Sequence, residues 1–246
     1  MLLRPRRVAD ASLETTLSTI TTAFAVPLVT SQMEDAAALN AELRDFFVEC
    51  SEQGDRFANP DPYTHRNANL FESSFRLFDW PHPAVSRLRD FCLNRLYHTV
   101  GELNGFDVPT LQKLHHAMES WFHVTRKGGY FGVHNHPMHS WSGVYCVCQE
   151  GDEGSADSGR LTFINPFMAN TMFVDMASHG MKPPFQLGNI PLRLTPGQLV
   201  LFPSWLLHEV SAFEPAGPGL RITVAFNARF RMQGVESSQM PKLDQR

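Results

Sequence analysis

Apolar residues recur at helical spacing twice in the first half of the chain, and at strand spacing through most of the second. Leu39, Leu43, Phe46, Phe47 and Cys50 predict a helix over about residues 33–52, with Ser31-Gln32-Met33-Glu34 at capping-box spacing ahead of it. Val85, Leu88, Phe91, Cys92, Leu96, Val100 and Leu103 predict a second helix. Pro83 suits its first turn and Asn104-Gly105 its end. Before these helices, Phe24 to Thr30 reads as a short edge strand broken by Pro27. Residues 54–83 lack a sustained period and read as a long loop with one strand near Asn69 to Leu77; a shorter helix is expected over 109–118.

The character changes at Trp121-Phe122-His123-Val124-Thr125, an aromatic and β-branched run. Further strands are expected at 130–136, 142–148, 160–164, 191–194, 198–202, 206–213 and 220–228, with turns at Lys127-Gly128-Gly129 and Pro196-Gly197 and an acidic loop from Gly151 to Gly159. Helices followed by many short strands imply an α+β, mainly β fold, a barrel-like sandwich with the helices on one outer face. Residues 165–190 interrupt the β half; Met168, Met172, Met176 and Met181 suit either a lid over the barrel mouth or a loop packed on its wall. Residues 1–22, basic and then rich in Ser and Thr, resemble a transit peptide or a loose arm. The expected organisation is that arm, one domain over 23–232 (helical layer 31–118, β core 119–230), and a tail over 233–246.

A net charge of -4, with no basic stripe, argues against nucleic acid as a partner, and no apolar run approaches membrane-spanning length. The four cysteines form no disulfide framework; Cys146 and Cys148 are expected on one strand face as small hydrophobes. The expected compartment is cytoplasmic.

The chemistry gathers in two segments. In GYFGVHNHPMHSWSGVY, His134 and His136 lie two apart, so on a strand both imidazoles face one way and Asn135 the other. LFPSWLLHEV supplies His208, with Glu209 turned to the opposite face. Three convergent imidazoles would make a facial metal site with open positions, as a non-heme iron enzyme requires. The remaining histidines carry no such spacing; His115 and His116 read as a solvated helical patch, and His139 as a surface or supporting residue. Thirteen positions after His208, Arg221 opens LRITVAFN, where alternation puts Arg221, Thr223, Ala225 and Asn227 on one face. A guanidinium inside a barrel is costly without an anion, and its fork fits a carboxylate. Either a ligand or an internal acid could supply that anion.

HNHPMHSWSGVY, GRLTFINP, LTPGQLVLFPSWLLHEV and RITVAFN together resemble the signature blocks of a bacterial family of 2-oxoglutarate/Fe(II)-dependent oxygenases, over about residues 121–230. The resemblance implies a double-stranded β-helix (jelly-roll) core. It also implies Fe(II) on His134, His136 and His208, and 2-oxoglutarate with its distal carboxylate on Arg221 and Thr223. Trp141, Tyr145 and Asn227 are candidates for the pocket wall, and each fits core packing equally well. The implied activity is a dioxygenase that consumes O2, hydroxylates a small-molecule or peptide substrate, and releases succinate and CO2; a homodimer is compatible with the external helical layer. The sequence departs from the wider superfamily at His136, where a carboxylate is usual, and at Thr223, where the family often has Ser. Two other readings stay open: a cupin-type metalloenzyme, whose motif begins at Gly128 but lacks its later Glu and second block, and a non-catalytic barrel that binds a metal or small anion.

Overall fold

The computed structural model describes residues 19–151 and 155–234. Residues 1–18 of the expected arm, the centre of the acidic loop and most of the tail lie outside the described residues. Helices α1 (Ala36–Glu52) and α2 (Pro83–Asn104) and a single turn, α3 (Val108–Leu111), precede most of the strands. The strands are β1 (Val29–Gln32), β2 (Leu70–Glu72), β3 (Leu114–Thr125), β4 (Phe131–His134), β5 (Trp141–Gln149), β6 (Leu161–Phe163), β7 (Ile190–Leu192), β8 (Gln198–Pro203), β9 (His208–Val210) and β10 (Arg221–Met232). A six-stranded sheet in the order β1-β8-β5-β10-β3-β2 faces a four-stranded sheet in the order β4-β9-β6-β7. All pairings within the two sheets are antiparallel. This is a double-stranded β-helix, with α1 and α2 covering the outer face of the larger sheet.

Both faces of the larger sheet are therefore buried. One face packs Phe122, Val124, Tyr145, Val147, Val224 and Phe226 against the helices' apolar stripes. The inner face and the smaller sheet share a second core of Cys146, Leu161, Phe163, Leu194, Phe202 and Leu206. Helix α2 matches its pattern at both ends: Pro83 is in the first turn and Gly105 caps the other end with φ 66°.

Several expectations are corrected. Ser31 and Gln32 belong to edge strand β1, so they cannot cap α1, which starts after Asp35 with no side-chain cap. The helix expected over 109–118 stops at Leu111, and Leu114 to Met118 extend β3, held in register by β10. His115 and His116 are thus strand residues; Tyr97 Oη lies 2.8 Å from His116 Nδ1. Cys146 and Cys148 do not share a face. The β5–β10 register shifts between Ile222 and Thr223, leaving Val147 as the extra residue, so Cys146 enters the inner core and Cys148 packs toward the helices.

Asn165 gathers the base of the 165–190 loop, with its Nδ2 donating to the carbonyls of Gln186 and Leu187. The loop lies across from residues 22–28, with a cavity of about 870 Å³ between them, and leaves Met172 and Met176 exposed. No helix among the described residues is long and apolar enough to cross a membrane.

Candidate metal centre

Strand β4 is short, and its end is set by backbone contacts. Gly132 donates to the carbonyl of His65, a contact only 3.0 Å from where a Cβ would sit. The register between β4 and β9 slips between Phe131 and His134, so Phe131 and His134 both face inward while Val133 faces solvent. His134 then stands directly opposite His208. His136 lies just beyond the strand, where its N–H donates to the Ser204 carbonyl at 2.9 Å.

The three imidazoles meet as the spacing implied. Their candidate ligand nitrogens all lie within 4.8 Å of one another, close enough for the group to hold one metal ion. His134 Nδ1 lies 2.7 Å from the Gly132 carbonyl and His208 Nδ1 lies 2.9 Å from that of Leu206. A carbonyl only accepts, so each Nδ1 carries the proton and each Nε2 presents a lone pair. Burial pushes His134 down to about 4, against the pull of the Gly132 carbonyl. Burial and the neighbouring rings take His208 to about 3 and His136 to about 2. All three are neutral near pH 7, as metal ligation requires. Nδ1 of His136 is buried with no hydrogen-bond partner. Glu209 is absent from the cluster, pairing instead across from Thr162.

The same cavity takes side chains from the inner face of the larger sheet, where Arg221, Thr223, Ala225 and Asn227 line it. Arg221 is 2 % exposed, and its Nε has no hydrogen-bond partner. Among the described residues no acid forms an ion pair with it. Asn227 accepts from Ser142 Oγ at 2.8 Å.

Trp141 and Tyr145 are not in this wall. Both pack on the helix side of the sheet, and Tyr145 Oη donates to Asn40 on α1. Alternation along β5 instead turns Ser142 and Val144 inward. The sequence left both faces open for these two residues because both faces of this strand are buried and both carry apolar residues; the structure gives them to the core.

Sequence reasoning also missed Glu72. Burial opposes its ionisation, but a hydrogen bond from His123, donation from Asn59 and the charge of Arg66 outweigh that and hold its carboxyl at about 2. Arg66 Nη1 lies 2.5 Å from Oε1, although its N–H is not aimed along the contact, and His123 Nε2 lies 3.0 Å from Oε2. Trp121 Nε1 also points at His123 Nε2, at 3.1 Å. One ring nitrogen cannot both donate and accept, and the ionised carboxylate decides for donation to Glu72. Burial, the first cause, lowers the His123 pKa.

Residues 119–227 match the model of a protein family described as "Putative 2OG-Fe(II) oxygenase". The barrel matches a 2OG-Fe(II) oxygenase family. The match takes in β3 from Glu119 onward, the three histidines and the stretch of β10 from Arg221 to Asn227. Solved oxygenase structures share the fold. A prolyl hydroxylase from Trichoplax adhaerens, in complex with a hypoxia inducible factor peptide, aligns at TM-score 0.54 and 11 % identity over 82 % of this chain and 83 % of its own. HygX from Streptomyces hygroscopicus, with nickel and 2-oxoglutarate bound, aligns at TM-score 0.51 and 13 % identity, covering 83 % of each chain. AviO1 from Streptomyces viridochromogenes aligns at TM-score 0.50 and 12 % identity over 83 % of this chain and 90 % of its own. No curated protein gives a significant sequence match.

Proposed function

We propose that this barrel is a 2-oxoglutarate-dependent dioxygenase that holds Fe(II) on His134, His136 and His208 and hydroxylates a small-molecule or peptide substrate with release of succinate and CO2. One observation carries the reading: three neutral imidazoles and a buried guanidinium without an acid partner line one cavity. The donor set fits the metal, since two of the rings are fixed with Nε2 bare and imidazole suits iron. The guanidinium fits the cosubstrate, since a buried Arg without an anion is costly and its fork matches a carboxylate.

Bound there, Fe(II) and 2-oxoglutarate supply the oxidising chemistry. The chain supplies placement. The carbonyls of Gly132 and Leu206 hold two rings in the coordinating tautomer. Arg221 and Thr223 receive the distal carboxylate. Phe131, Phe202 and Leu161 give the cavity apolar walls. A cupin-type enzyme would leave Arg221 without a role.

The test is succinate formation from 2-oxoglutarate with added Fe(II) and ascorbate, together with iron content. Wild-type protein is expected to turn over 2-oxoglutarate, at least slowly, without substrate. His208→Ala is expected to lose iron and turnover together; full iron occupancy in that variant would refute the ligand set.

A further inference from the structure

The cross-strand row that contains Arg221 holds three more unpartnered polar atoms. Arg221 on β10 stands directly opposite Thr125 on β3 and Gln149 on β5. Directly paired residues on adjacent strands share a face, with Cβ atoms about 5 Å apart, so the side chains of Thr125 and Gln149 point the same way as that of Arg221, into the barrel. Thr125 is 1 % exposed and Gln149 7 %. Thr125 Oγ1 and both Nε2 and Oε1 of Gln149 are buried without a hydrogen-bond partner, as is Arg221 Nε. Four such atoms in one row, on three adjacent strands, is not how a folded core is finished, because each costs about 1–3 kcal/mol.

Backbone closes this end of the barrel. A Cβ on Gly159 would sit 2.8 Å from Arg221 Cδ, and one on Gly129 would sit 2.6 Å from Thr125 Cγ2. The row is thus walled in by chain that cannot recede, and bulk solvent does not reach it. Thr223 lies two residues further along β10, opposite His123 and Cys146.

We propose that Gln149 and Thr125 are positioning residues for the distal carboxylate of 2-oxoglutarate, forming with Arg221 a three-strand anion cradle. This rests on the oxygenase reading of the cavity and extends it to two residues outside that reading. The chemistry is matched: the Gln149 amide N–H and the Thr125 hydroxyl donate, a carboxylate accepts, and Gln149 Oε1 is the acceptor available to the Arg221 N–H groups.

The test is calorimetric binding of 2-oxoglutarate to the Ni(II)-loaded protein, with Ni(II) affinity measured separately. Gln149→Leu and Thr125→Val should each raise the 2-oxoglutarate Kd about tenfold while leaving Ni(II) affinity unchanged. Gln149→Glu should abolish 2-oxoglutarate binding and raise the Tm of the ligand-free protein, because it gives Arg221 an internal counter-ion. A purely structural role for Gln149 would move Tm and leave the Kd alone. If Arg221→Met loses binding while the Leu, Val and Glu variants keep the wild-type Kd, the cradle is overturned and the oxygenase reading stands. If Arg221→Met itself binds as wild type, the oxygenase reading falls and takes the cradle with it. Gln149→Glu guards against a variant that fails to fold, since its predicted effect on folding has the opposite sign.

Discussion

The barrel holds two arginines away from bulk solvent, Arg66 partly buried and Arg221 fully so, and treats them differently. Arg66 meets Glu72, which is further bonded by His123 and Asn59, so every charge in that cluster has a partner from the protein itself. Arg221, more deeply buried, meets none among the described residues. The fold supplies Arg66 with an acid of its own. The contrast marks the Glu72 cluster as architecture and the Arg221 row as a place for something the chain does not contain.

The largest break in that contrast comes from removing Glu72. Glu72→Ala leaves Arg66 and His123 facing an empty acid position. It should destabilise the protein by about 3–5 kcal/mol, a Tm loss on the order of 10 °C by thermal unfolding. Next comes acid. The Glu72 carboxyl is held near 2 against an ordinary 4.5, so its contribution is complete above about pH 4.5 and drains away as pH falls toward 2. The amount is about 3 kcal/mol by linkage. Denaturant titrations across that range should show the loss in wild type and a shallower one in Glu72→Ala; parallel curves would place the acid sensitivity elsewhere.

Arg221→Met should behave in the opposite way. The ligand-free protein should be as stable as wild type or more so, since the variant removes an uncompensated buried charge. What it should lose is ligand response. With Ni(II) present, 2-oxoglutarate at a hundred times its Kd should stabilise wild type by about 2.7 kcal/mol and leave the variant unmoved. The smallest effect sharpens the geometry of β5. Tyr145→Phe should cost about 1 kcal/mol through its bond to Asn40 and leave 2-oxoglutarate affinity unchanged, because that side chain faces the helices.

These two clusters were unequally legible in the sequence. His134-x-His136, His208 and the Arg221-to-Asn227 face could be read because each obeys two-residue alternation on strands that the barrel keeps in place. Helix α2 could be read from its seven periodic positions and from the residues at its ends. Glu72 and Arg66 sit in a stretch without period, and their meeting with His123 depends on the pairing of β2 with β3, a contact no local pattern announces. Trp141 and Tyr145 stayed undecided between pocket and core for a different reason: on a strand buried on both sides, apolarity does not tell inside from outside. The Val147 bulge, which also separates Cys146 from Cys148, brings Gln149 opposite Arg221, and nothing in VYCVCQ signals it.

Strand β10 runs through the middle of the larger sheet and carries Arg221 and Thr223, yet among the described residues it is the last strand in chain order. During synthesis, β3 and β5 must wait with open hydrogen-bonding edges until residues 221–232 leave the ribosome. Nascent barrels are therefore exposed to aggregation late in translation, and a chaperone that shields unpaired edges would be expected to matter more for this protein than its finished compactness suggests.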